Sequence, residues 1–162
     1  MKIVKATEID IPVIHELAER IWWPTYKAIL SDEQIRFMLD DMYSENALEK
    51  QMESDIRFLL VKRDSKDVAF AGYSIDNELL ILKIHKIYIL PSEQGKGTGK
   101  RLIEHLSDLA SESKITYLEL NVNRANPATG FYTKLGFEIS ETVDIPYYQF
   151  VLNDYVMRKA VL

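Results

Sequence analysis

Cysteine is absent from the 162 residues. That excludes a disulfide framework and any thiolate metal site, and it fits a reducing cytoplasm. No apolar run approaches membrane-spanning length, and the opening Met-Lys-Ile-Val-Lys-Ala-Thr-Glu is too short and polar for a signal peptide. The expectation is a cytoplasmic protein with no membrane partner. Basic residues are outnumbered, 20 against 25 acidic, for a net charge of −5. This disfavours nucleic acid as a partner and mildly favours cationic ones. There are no repeats, low-complexity tracts or linker-like segments. With 47% hydrophobic and 10% aromatic residues, the chain can bury a substantial core. A single domain over 1–162 is expected.

Glycine is also scarce, yet three of the six glycines fall within five residues, at 95, 97 and 99. Before them, Ile84, Ile87, Tyr88 and Ile89 read as a strand that Pro91 and Ser92 stop. After them, Leu102, Ile103 and Leu106 recur at helical spacing. A strand, a glycine-rich loop and a helix start make an anion site. Glycines let the backbone approach a phosphate, and the first helical turn offers unpaired N–H groups. The bland reading is an ordinary strand–helix connection. Three glycines would be wasteful there, because each loses more chain entropy on folding than alanine. The dinucleotide fingerprint does not fit, because the third glycine comes one residue early. Nor does a P-loop, which needs glycine at Gln94 and a hydroxyl at Arg101 for magnesium.

Taken in order, the chain reads as follows. Lys2–Ala6 is a strand. Ile11, Ile14, Leu17, Ala18 and Ile21 mark a helix face that Pro24 interrupts near Trp22-Trp23. Ser31 and Gln34 form a capping box before a helix that turns Ile35, Met38, Leu39 and Met42 inward. A third helix covers about 44–54, with Leu48 and Met52 inward. Residues 57–62 and 68–75 form a hairpin, and Gly72 suggests a bulge or close packing. Residues 79–90 form a long central strand, and the helix after the glycine loop ends near Glu112. Residues 115–122 are the next strand. A short helix near 127–135 ends at Gly136, a left-handed cap. Residues 137–145 and 150–160 close the sheet as an antiparallel pair. The order fits an α/β (α+β) protein with a mixed sheet and helices on both faces.

Two blocks carry a family resemblance. One is Gln94-x-x-Gly97-x-Gly99 after Ile-Leu-Pro. The other is Asn126-Pro-Ala-Thr-Gly-Phe-Tyr132-Thr-Lys-Leu-Gly-Phe137, with Asn123 just before it. Together they resemble the acyl-CoA motif and following segment of the GNAT superfamily of N-acetyltransferases. The likeness covers roughly residues 57–162 well and the first fifty more loosely. It implies a mixed, mostly antiparallel central sheet flanked by helices. It also implies a splay between two parallel strands, those ending near Leu90 and Val122. Acetyl-CoA is then the cosubstrate, and no metal is implied.

By the same resemblance, Gln94, Gly95, Lys96, Gly97, Thr98, Gly99 and Lys100 line the diphosphate. Lys96 and Lys100 would add charge to the backbone amides. Ile87, Tyr88 and Ile89 pair by backbone with the pantetheine arm. Tyr132 faces the CoA sulfur, where a phenol can serve the departing thiolate; the plainer reading is a half-buried helix tyrosine. Asn126 and Asn123 compete as partners of the pantetheine amides, since Asn126 lies one residue nearer Tyr132 than in many relatives. His85 stands where aralkylamine acetyltransferases carry a histidine that helps deprotonate the amine; the alternative is a structural histidine. His15 and His105 read as structural.

The acceptor site would draw on Trp22, Trp23, Tyr26, Tyr43, Tyr147 and Tyr148, whose π faces suit a cation or an apolar amine. More often such residues are core. Asp32, Glu33, Asp40, Asp41, Glu45 and Glu49 could attract a polyamine, or simply solvate a helix face. The helical preface looks loosely like bacterial polyamine acetyltransferases. The expected activity is transfer of acetyl from acetyl-CoA to a primary amine, possible on a polyamine, by direct attack in a ternary complex. Without cysteine, no cysteinyl acyl-enzyme can form. Acetylation of a protein lysine or N-terminus, or a CoA-binding module without turnover, are the alternatives. Edge strands and an exposed tryptophan pair permit a homodimer without demanding one.

Overall fold

The computed structural model describes residues 1–161. Seven strands and five α-helices follow in chain order: β1 (Lys2–Lys5), α1 (Ile11–Tyr26), α2 (Asp32–Tyr43), α3 (Glu45–Glu53), β2 (Arg57–Arg63), β3 (Lys66–Asp76), β4 (Ile81–Ile89), α4 (Thr98–Glu112), β5 (Tyr117–Asn123), α5 (Ala128–Lys134), β6 (Glu138–Tyr147) and β7 (Phe150–Ala160). The strands form one sheet in the order β1-β2-β3-β4-β5-β7-β6. The β4–β5 ladder is parallel, and the β1–β2, β2–β3, β5–β7 and β6–β7 ladders are antiparallel. The sheet is therefore mixed and mostly antiparallel, as the sequence predicts. By contact density the chain divides into two compact units, one of residues 1–74 and 86–102, the other of 75–85 and 103 onward.

In the first unit, the predicted stripe of α1 is buried at Ile11, Ile14, Leu17, Ala18 and Ile21. Ile35, Met38 and Leu39 do the same for α2, and Leu48 for α3. Met42 and Met52 are only half-buried. Ser31 Oγ accepts from Gln34 N at 3.1 Å, but the Gln34 side chain reaches Met38 Sδ instead of returning to Ser31. The predicted box is thus a simple N-cap. The Ser44 hydroxyl caps α3 through Ala47 N at 3.2 Å. Between β2 and β3, Asp64 and Ser65 both take positive φ, 53° and 64°. That conformation lets a two-residue turn follow the twist of the flanking strands. Gly72 is in register opposite Phe58. A β-carbon there would meet Phe58 and Lys86 at 3.4 Å, an ordinary van der Waals contact, and the irregularity of the β2–β3 ladder lies at Val61–Lys62, so neither a bulge nor lack of space demands glycine at 72.

Two expectations for α1 fail. Pro24 does not interrupt the helix, which continues to Tyr26. Proline costs the bond its N–H would make, but this one sits in the last turn, where Lys27 N still closes on the Trp23 carbonyl at 3.0 Å. The tryptophans are not an exposed pair either. Trp22 is buried at 2% exposure, while Trp23 is half-buried.

In the second unit, β5 pairs with β7 from Tyr117↔Ala160 to Asn123↔Asp154. The parallel ladder of β5 with β4 covers Ile81↔Tyr117 to Ile84↔Leu120. Glu119 fastens three neighbouring strands, accepting from Lys83 Nζ at 3.0 Å and Arg158 Nε at 2.7 Å. Burial raises its pKa, and these two cations more than reverse that, holding it below the usual carboxylate value. β4 starts two residues later than predicted because Asp76 Oδ1 accepts from Glu78 N and Leu79 N, and Leu80 takes φ 55°. β5 likewise starts at Tyr117, because the backbone N–H of Ile115 closes the end of α4 on Ala110 at 2.8 Å. Gly136 caps α5 with φ 98°, as predicted.

Candidate active site

The glycine loop belongs to the first unit. It leaves β4 through a 3-10 turn at Pro91–Glu93 and enters α4 at Thr98. Gly95 and Gly97 have φ of +81° and +79°, a region that side chains disfavour, and a β-carbon at either would meet nothing within 4 Å. These two glycines are therefore set by backbone conformation, with open space beside them. The N–H of Lys96 is spent on the Glu93 carbonyl at 3.3 Å, and that of Arg101 on Gly97 at 3.1 Å. Those of Gly95, Gly97, Thr98 and Gly99 meet no acceptor among the described residues. A run of unpaired amides entering a helix suits the anionic oxygens of a diphosphate, so the loop fits coenzyme A. Gln94, Lys96 and Lys100 are exposed around it. Lys96 is not a free charge, however: its Nζ lies 3.1 Å from Glu93 Oε1.

Glu93 was not singled out by sequence, and it is 4% exposed. Its Oε2 accepts from Arg63 Nε at 2.8 Å and from Thr98 Oγ1 at 2.9 Å. Arg63 Nη2 also reaches Thr98 Oγ1 at 3.3 Å. The Arg63 guanidinium, with Lys96 and Thr98, drives Glu93 down to about 2. The one available signal was a carboxylate placed directly before an anion loop.

Trp22, Tyr26, Tyr43, Phe70 and Tyr88 of the first unit form a packed cluster. Trp22 lies 4.5 Å from Tyr26, 5.5 Å from Tyr43 and 5.6 Å from Tyr88, centroid to centroid. The Tyr26 and Tyr88 hydroxyls are 3.0 Å apart. Tyr26 and Tyr43 are buried, at 8% and 2%, while Tyr88, like Ile87 and Ile89, is half-buried. His15 Nδ1 meets the Tyr43 carbonyl at 2.7 Å, tying α1 to α2 in the structural role predicted for it. Tyr43 already faces a cation of this chain: Lys86 Nζ stands 5.3 Å from its ring centre. Lys86 itself is 9% exposed, and burial lowers its pKa to about 8. Its signal in sequence was a lysine between Ile84 and Tyr88 on an otherwise apolar strand face. The acidic residues of α2 and α3 are exposed, and Asp40 pairs with Arg36, which also binds Glu19 of α1.

In the second unit, Tyr132 on α5 is buried at 7%, between Phe131 at 5.3 Å and Phe137 at 5.6 Å. Asn126 Oδ1 accepts from Ala128 N at 2.9 Å and so starts that helix. Asn123 Oδ1 accepts from Ala125 N at 2.9 Å. Both asparagines thus commit their oxygen to a local turn and retain their amide hydrogens as donors. His85 is exposed. Tyr147 is half-buried, stacked edge-on against Tyr148 at 5.1 Å in the β6–β7 turn. Among the described residues no group of three His, Asp or Glu side chains could hold a metal ion. No helix of the described residues is long and apolar enough to cross a membrane.

Residues 26–145 match the acetyltransferase (GNAT) domain family. The chain belongs to the GNAT acetyltransferases. This GNAT enzyme is 29% identical over 98% of its length to a spermidine N(1)-acetyltransferase of Thermoplasma acidophilum, covering 96% of that protein. A solved structure of the PaiA N-acetyltransferase from Thermoplasma acidophilum, in complex with coenzyme A, superposes with a TM-score of 0.85 at 27% identity, covering 98% of both chains. The ribosomal-protein-S18-alanine N-acetyltransferase of Escherichia coli shares the fold at TM-score 0.75 and 20% identity, over 99% of this chain and 93% of that one. As a member of this family the chain is an acetyl-CoA-dependent N-acetyltransferase.

Proposed function

We propose that this GNAT enzyme acetylates a primary amine of a small molecule, with polyamines the first class to examine, by direct attack in a ternary complex. The observation that carries the reading is the loop at 94–100, with left-handed Gly95 and Gly97 and unpaired amides running into α4. Bound acetyl-CoA supplies an activated acetyl thioester. Backbone amides of Gly95, Gly97, Thr98 and Gly99 would hold its diphosphate, with Lys100 adding charge. The main chain of Ile87–Ile89 would pair with the pantetheine arm, and Asn126 or Asn123 would donate to it through a side-chain amide. Tyr132 is proposed to give its phenolic proton, or a hydrogen bond, to the leaving sulfur. Exposed His85 is proposed to take the amine's proton through water. Trp23, Tyr26, Tyr43 and Tyr147 are proposed for the acceptor side. Tyr43 and Tyr26 are buried, Tyr43 facing Lys86 and Tyr26 packed on Trp22, so half-buried Trp23 and Tyr147 offer the more accessible π faces for a cation. The preference for polyamines is supported by the full-length likeness to the spermidine acetyltransferase. A single acetyltransferase domain and a cytoplasmic location complete the proposal.

The test is thiol release from acetyl-CoA across spermidine, arylalkylamines, amino acids and a lysine peptide. Spermidine should be turned over well above the others. Turnover confined to the peptide would refute the small-molecule reading. Gly97→Glu should abolish acetyl-CoA binding, because it forces a side chain onto φ +79° and adds like charge. Unaltered binding would remove the loop assignment. Tyr132→Phe should lower kcat by roughly 10²-fold or more with little change in acetyl-CoA affinity, in line with loss of a general acid.

A further inference from the structure

One carboxylate at the foot of the glycine loop collects three donors from three parts of the first unit. Arg63, the last residue of β2, gives Nε to Glu93 Oε2 at 2.8 Å. Thr98, the first residue of α4, gives its hydroxyl to the same oxygen at 2.9 Å. Lys96, at the loop's tip, gives Nζ to Oε1 at 3.1 Å. Arg63 Nη2 closes the set on Thr98 Oγ1 at 3.3 Å. Glu93 and Thr98 are buried, at 4% and 1% exposure. The four residues between them, Gln94 to Gly97, are exposed, and two are left-handed glycines. Such a segment is flexible by composition, and ordering it costs conformational entropy. The carboxylate pins both its ends and its middle to the sheet.

A negative group beside a diphosphate site would ordinarily repel the ligand. Here two cations, Arg63 and Lys96, share the one carboxylate, so the cluster stays net positive. It fixes the loop without opposing an anion.

We propose that Glu93 is a positioning residue for acetyl-CoA: through Arg63 and Thr98 it sets the glycine loop in its diphosphate-binding shape before the ligand arrives. The inference rests on the reading of 94–100 as the diphosphate loop. It makes affinity for acetyl-CoA, and not the chemical step, the quantity that Glu93 controls.

Full-length wild type, Glu93→Gln, Thr98→Val and Thr98→Ser are titrated calorimetrically with acetyl-CoA and assayed with the best amine, with each Tm recorded. Glu93→Gln and Thr98→Val should weaken acetyl-CoA binding about tenfold and raise its KM equally, leaving kcat at saturation and the amine KM within about twofold. Thr98→Ser keeps the hydroxyl and should bind like wild type. The proposal is overturned if folded Glu93→Gln or Thr98→Val binds acetyl-CoA as wild type does. It is equally overturned if weaker binding merely tracks a loss of folded protein. Should Glu93→Gln not fold, the Thr98 pair decides alone. Failure of wild type itself to bind would remove the loop reading and this inference together.

Discussion

Lys86 shows how a single side chain can set a pH dependence. It is 9% exposed, with the Tyr43 ring as its neighbour and no hydrogen-bond acceptor or carboxylate meeting Nζ among the described residues. Burial penalises its ammonium and brings its pKa from 10.5 to about 8. Between those values the unfolded chain binds more protons than the folded one, so stability rises with pH through that window. Below pH 8 the cost is fully present, about 3 kcal/mol at roughly 1.4 kcal/mol per pKa unit. Lys86→Met should therefore raise stability by about 1–3 kcal/mol at pH 7, less the lost cation–π contact. The gain should vanish by pH 10.5, as read from urea melts at several pH values. Glu93 runs the opposite way. Its pKa is depressed, chiefly by Arg63, so its contribution is present above the ordinary 4.5 and is lost as pH falls toward 2. Glu93→Gln should flatten that acid limb, and a limb unchanged in acid titration would contradict the assignment. Neither behaviour was legible in sequence. Arg63 lies thirty residues before Glu93, and Tyr43 is still farther from Lys86.

At the scale of elements, what sequence read well was whatever a few neighbouring residues decide. The glycine loop, the Gly136 cap, the α1 stripe and the β7 boundaries all depend on local backbone geometry or local periodicity. Boundaries slipped where a cap intervened, as at the starts of β4 and β5. Pro24 was misread because its cost depends on where the helix ends, which its own residue type does not announce. The Ser31 cap of α2 offers a clean measurement. Ser31→Ala removes the acceptor for Gln34 N at an exposed position away from the loop. It should cost about 1 kcal/mol, or roughly 2–4 °C in Tm, with acetyl-CoA affinity unchanged. Retention of full stability would show that the cap contributes nothing.

For the whole molecule, the prediction concerns coupling between ligand and fold. A ligand that binds only the native state stabilises it by about 2.7 kcal/mol at a hundredfold excess over Kd. In a chain of this size that corresponds to a Tm increase of roughly 5–10 °C. Acetyl-CoA should produce this shift in wild type and none in Gly97→Glu. Spermidine alone, through rims such as the exposed carboxylates of α2, should produce little. A shift that persists in Gly97→Glu would place the donor somewhere other than the glycine loop.

Sequence by itself settled the glycine loop, the strand–helix order and the two blocks that mark a GNAT acetyltransferase, because each is written in contiguous residues under local steric rules. Only the tertiary structure decided that Trp22 is core, that Lys86 lies buried over Tyr43, and that Arg63 and Thr98 converge on Glu93. Those facts depend on which distant segments the folded sheet and helices bring side by side, and a pairing across dozens of residues has no local signature.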